Sequence, residues 1–248
     1  MKQLRSYLLV LLVSCGQNSL IDCNKAAKSR CVEQTDDEKA VAALNSADYQ
    51  TVIDILKPLI DAEPTAYFRY PRLATAYAGL AGFDLANAAT AKSSGAQDGL
   101  NAFNAFLPAI DALRLDLYHE YLGYMGQARD LLASMPEEQR TADTDIYYSA
   151  SSEFQYVLYL CLHVTMCLNV YQFFVDGDSI DADGLFAFKE CPATEMIANL
   201  LQAALAAQSN NQELSSKVKE LETKILGEEG ANAQAKLEAY VIKQQKGS

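Results

Sequence analysis

The chain has 248 residues, half of them hydrophobic, with 32 acidic against 20 basic side chains and a formal charge of −12. That length suits a chain able to bury a sizeable core. The acidic excess argues against nucleic acid and anionic lipid headgroups as partners.

Residues 1–14 place Lys2 and Arg5 ahead of an uncharged run whose apolar centre is Leu8 to Val13. The run is too short to span a bilayer and is built like the charged and apolar regions of a secretory leader. It ends in Leu12, Val13, Ser14 and Cys15, which resembles the bacterial lipobox. The resemblance implies cleavage before Cys15, acylation of that cysteine, and a palmitate-bearing lipoprotein in the bacterial cell envelope, at the outer membrane facing the periplasm. Several acyl chains on one residue hold a domain at a membrane far more firmly than one chain does. Loss of Lys2 and Arg5 with the leader would take the charge from −12 to −14. Residues 15–35 are polar and weakly periodic, as expected of a tether.

From Asp36 onward apolar residues recur at helical spacing and nothing alternates like a strand, so the expected fold is all-α. A helix "DDEKAVAALNSA" leads through a polar turn at Asn45 and Ser46 to "DYQTVIDILKPLIDAEP", whose Tyr49, Val52, Ile53, Leu56, Leu59 and Ile60 share a face. Pro58 is tolerable there only with a mild kink, and Pro64 ends the helix. A third helix carries Tyr70, Leu73, Ala74 and Tyr77, followed by Gly82, Phe83 and Ala86. This order and spacing resembles the tetratricopeptide repeat, a 34-residue helical hairpin. One period earlier stand Ala40, Tyr49 and the closing Pro64, while Lys39, Ala43 and Val52 depart from the pattern. The resemblance covers residues 33–86 and implies antiparallel hairpins stacked as a right-handed repeat body.

"AKSSGAQDGLN", residues 91–101, interrupts the pattern. Beyond it a helix is expected through Phe106, Ile110, Leu113, Leu117 and Tyr121, a shorter one from Ala128 through Leu131 and Leu132 to Met135, and a solvated loop at "PEEQRTADTD". Residues 154–175 contain no Asp, Glu, Lys or Arg. Gln155, His163, Asn169 and Gln172 interrupt that run, so it reads as a central helix buried on most sides rather than a membrane span. The helical-repeat domain is expected over residues 36–205. A helical segment follows over 206–248, with Leu214, Val218, Leu221 and Ile225 as a short seam.

Beyond Cys15 the cysteines are Cys23, Cys31, Cys161, Cys167 and Cys191, an odd number, so at least one stays free or pairs with another chain. Cys161 and Cys167, six apart, point to different sides of one helix and are poor mutual partners. Cys167 with Cys191 would close the loop between them.

No GxSxG, phosphate-cradling glycine loop or redox CxxC is present, and His119 begins no HExxH, so no enzymatic activity is expected. The one constellation with a mechanism is the acidic loop 176–190. From Ser179, "SIDADGLFAFKE" resembles an EF-hand calcium loop: Ser179, Asp181, Asp183, the Leu185 carbonyl and Glu190 at the ligand positions, Gly184 at the turn, and Phe186 at the apolar eighth position. Ser179 stands where the family prefers Asp. Asp176, Asp178, Asp181 and Asp183 also crowd like charges that a cation would relieve.

These features together favour a membrane-anchored adaptor that binds a protein partner, because stacked hairpins create extended concave surfaces. The alternative is a lipid-anchored small-molecule or transporter-associated binding subunit, with Phe103, Phe106, Tyr118, Tyr121 and Tyr124 lining an apolar cavity.

Overall fold

The computed structural model describes residues 34–83, 107–142, 144–145, 150–208 and 211–247. The leader, Cys15, Cys23, Cys31, Ala86, Phe103 and Phe106 lie outside the described residues. A compact unit begins at Asp36 and runs to the C-terminus.

Its described part is all-α. Ten α-helices follow in order: α1 (Asp36–Asn45), α2 (Tyr49–Ala62), α3 (Tyr70–Leu80), α4 (Leu115–Ala133), α5 (Glu137–Ala142), α6 (Ser152–Phe173), α7 (Ala182–Ala187), α8 (Ala193–Ala207), α9 (Gln212–Gly227) and α10 (Ala233–Lys246). Strand structure among these residues is limited to two two-residue antiparallel ladders, β1 (Thr144–Asp145) with β2 (Ala150–Ser151), and β3 (Val175–Asp176) with β4 (Ser179–Ile180).

Short polar side chains start the helices by accepting orphan backbone N–H groups. Asp48 takes that of Thr51 for α2, Ser151 that of Phe154 for α6, Asn211 that of Leu214 for α9 and Asn232 that of Ala235 for α10. The principal packing then runs from each long helix to the next, α1 on α2, α2 on α3, α3 on α4, α4 on α6, α6 on α8 and α8 on α9. Additional contacts join α1 to α3, α3 to α6 and α8 to α10.

The first hairpins are joined by specific fits. Gly79 of α3 faces the ring of Tyr49, so a Cβ there would collide with it. Arg69, in a 3-10 turn before α3, grips Asp37 through two 2.9 Å contacts and Glu63 at 3.1 Å. The hydrogen bond from that guanidinium and its charge hold the Asp37 carboxyl below its usual range. Ala74 is fully buried, and Tyr77 stacks on Tyr124 of α4 at 6.4 Å. Enlarging Ala74 therefore forces atoms into a filled interface. Ala74→Leu should cost about 1–3 kcal/mol, read as a lower midpoint in melts followed by circular dichroism. An unchanged midpoint would mean that the helices do not meet there.

Helix α6 is the axis of the core, and 18 of its residues are buried, from Ser152 to Tyr171. It is long and apolar enough to cross a membrane, yet 83% of its apolar window is covered by protein. A helix surrounded on several sides needs no polar face, which explains its lack of amphipathic pattern.

Three boundaries differ from those expected. The segment Glu137–Ala142 is helical rather than a loop, because it is pinned by the half-buried Arg140 rather than by an apolar stripe. The two helices expected over 106–135 are one, α4, and it starts only at Leu115. Leu113 lies in a 3-10 turn and is 94% exposed, so it takes no part in the apolar face formed by Tyr118, Leu122, Met125 and Leu132. Helix α8 runs through position 205 without a break, and Val218 and Ile225 of α9 are fully buried against the body.

Candidate functional site

Two clefts and one polar cluster stand out. Helices α2 and α4 both pack on α3 and leave a cleft of about 240 Å³ above it. Lys57, Ile60 and Asp61 come from α2, Leu73 and Tyr77 from α3, and Gln127, Asp130 and Leu131 from α4. Ile60, Leu73 and Tyr77 form an apolar floor, with a burial that raises the Tyr77 phenol above its ordinary pKa. The walls carry charge. Lys57 and Asp61 form an exposed pair at 3.3 Å, and Asp130 accepts from Arg129 at 2.7 Å.

One helix pair further along, α4 and α8 flank α6, and there the corresponding space is filled. Arg129 reaches from α4 to Glu195 of α8 at 2.8 Å, and the same guanidinium nitrogen lies 3.3 Å from His163 Nδ1 of α6. Burial, reinforced by the Arg129 charge, holds the His163 pKa down to about 3, so the ring is neutral and Nδ1 accepts from Arg129. Burial works against the Arg129 charge, but Asp130 and Glu195 more than offset it and its pKa is raised. This cluster is a structural clasp whose three main members sit on three helices, and no local sequence pattern announces it.

The second cleft, about 280 Å³, lies beside the acidic segment, between α7 and the start of α10. Tyr171, Phe186, Phe188, Pro192 and Gln234 are among its walls. The Tyr171 hydroxyl is already engaged with the Gln234 amide oxygen at 2.9 Å and the Cys191 carbonyl at 3.2 Å. Next to it Cys167 and Cys191 form a disulfide, which ties the end of the acidic segment to α6. Cys161 is free and fully buried, and burial pushes its thiol up to about 12.

The residues of the EF-hand register are differently employed. Ser179 lies in β4 and donates to the Asp176 carbonyl. Gly177, at φ +60, makes the tight turn between β3 and β4. Residues 182–187 are helical, and Asp181 caps that helix by accepting from the Asp183 and Gly184 N–H groups at 3.1 and 3.3 Å. The Leu185 carbonyl accepts from Phe188 N–H, and Asp183 points to solvent. Glu190 stands 3.5 Å from His119, which is stacked on Phe188 at 3.8 Å. Gly184 is required by the Phe174 ring, which fills the place of a Cβ, and not by a left-handed turn. Phe186 is 71% exposed where the eighth position of a calcium loop turns inward, and Phe188 is buried instead.

Several of these groups are thus engaged in local hydrogen bonds. Calcium binding in this register would have to displace these contacts of α7. Melting the full chain with and without millimolar calcium tests whether the ion displaces those contacts. A calcium-dependent rise that Glu190→Gln removes would show that the helix does give way to the ion.

Of the aromatic residues expected to line an apolar cavity, Tyr118 is core, donating to the Met166 carbonyl at 3.3 Å, and Tyr124 is spent on the Tyr77 stack. No family model, curated protein or solved structure matches the chain.

Proposed function

We propose that the chain is an envelope lipoprotein that holds a protein partner at the membrane in the groove between α2, α3 and α4. The observation that carries this reading is that the α2–α4 groove is open while its counterpart between α4 and α8 is occupied by Arg129 and Glu195. An apolar floor with polar walls suits a docked side chain, since docking sites pair a buried apolar anchor with a solvated rim. The Leu12-Val13-Ser14-Cys15 motif supports the membrane address. The helix-to-next-helix packing of α1 to α4 supports a tetratricopeptide-like arrangement of these hairpins.

Photocrosslinkers placed at Gln127, on the groove wall, and at Lys219, on the outer side of α9, test the docking site. In cells making the acylated chain, Gln127 is expected to yield one protein adduct that is absent at Lys219 and diminished by excess unlabelled chain. Equal labelling at both positions, or none at Gln127, would sink the reading. Cys15→Ala should shift the chain from the membrane to the soluble fraction or leave its leader uncleaved, as intact mass would report.

A further inference from the structure

We propose that the partner segment seated in the α2–α4 groove is basic: a lysine or arginine side chain held against Tyr77 between the carboxylates of Asp61 and Asp130, with a neighbouring apolar residue on the floor. The proposal rests on the groove being a docking site and names what docks there.

Asp61 and Asp130 stand on opposite walls of one cleft, and each side chain is 67% exposed. Their present partners leave them available. Lys57 lies one turn earlier on the same helix as Asp61, is itself 58% exposed, and holds it at 3.3 Å, the geometry of an exposed pair that contributes little. Arg129 touches Asp130 but is anchored toward Glu195 and His163, so it cannot follow Asp130 into the groove. Tyr77 lines the same cleft, and an aromatic beside carboxylates favours an ammonium or guanidinium over a neutral or anionic group. The formal charge of −12 adds a long-range field that draws basic segments toward this surface and repels acidic ones.

Fluorescence anisotropy on the full chain tests the class with three labelled peptides of equal length, built from leucine with lysine, with glutamine or with glutamate. The leucine–lysine peptide is expected to bind, and Asp61→Asn with Asp130→Asn to weaken it by about tenfold or more. Glu213→Gln with Glu220→Gln removes the same charge from the exposed side of α9 and should change binding by less than about twofold, as expected of charges outside the contact. Equal weakening by the two double variants would reduce the effect to the diffuse field of an acidic protein and overturn the proposal. Tight binding of the glutamate peptide would overturn it too. If Gln127 still captures its specific partner in either case, the groove stands as a docking site and only the basic class fails. Silence at Gln127, with no peptide bound, removes both.

Discussion

Glu153→Leu should be the most damaging single substitution among the ion pairs, costing about 3–5 kcal/mol. Arg140 of α5 has its side chain 12% exposed, and its Nε donates to Glu153 Oε2 of α6 at 2.8 Å. The Glu153 side chain is 5% exposed. The same guanidinium donates to the Met135 carbonyl at 2.7 Å and lies 4.6 Å over the Tyr156 ring. Removing the carboxylate leaves a largely covered cation without its counter-charge, and that desolvation is what makes the loss large. Arg140→Met together with Glu153→Leu removes both charges, so the double variant should recover most of the loss. Urea denaturation of the parent, the single and the double variant checks this. A single variant within about 1 kcal/mol of the parent would show that water reaches Arg140, and a double variant no better than the single would show that packing matters more than charge.

The same residues show what could and could not be read from the chain. Contacts within one helix repeat with its period, so the buried face of α2 is visible as spacings of three and four, whereas α4 buries Tyr118, Leu122 and Met125 rather than the expected Leu113, Leu117 and Tyr121. Helix α5 is invisible by that criterion, because "EEQRTA" has no apolar stripe and is held by one long-range ion pair. Leu113 fits the expected series with Leu117 and Tyr121 and yet projects into solvent, since the helix starts two residues later and spacing alone does not mark that start. The acidic segment is legible in a different way. Asp181 at a helix N-cap and Gly184 against an aromatic ring hold calcium-loop positions and also serve local backbone needs. In the candidate groove, Tyr77 is legible from its repeat spacing. Asp61, Gln127 and Asp130 are not, because surface polar residues become a site only when two helices are set side by side. The Arg129, His163 and Glu195 clasp is hidden in the same way, its members lying on α4, α6 and α8.

The disulfide carries the second large effect. Cys167 lies near the C-terminal end of α6 and Cys191 just before α8, 24 residues apart, so the bond closes a loop containing β3, β4 and α7. Confining a loop of that length in the unfolded chain stabilises the folded form by about 3 kcal/mol. Cys167→Ala with Cys191→Ala should therefore lower the melting temperature by about 6–12 °C in a unit of this size. Reductant should produce a comparable fall in the parent and little in the double variant. The control is Cys161→Ala, which removes a buried free thiol and touches no cross-link. It should lower the midpoint modestly and leave the response to reductant intact. Reduced and oxidised parent chains melting within about 2 °C of each other would show that the tie between α6 and the acidic segment adds nothing to stability. In that case the buried Leu185 and Phe188, with the Phe174 ring against Gly184, would suffice to hold α7 in place.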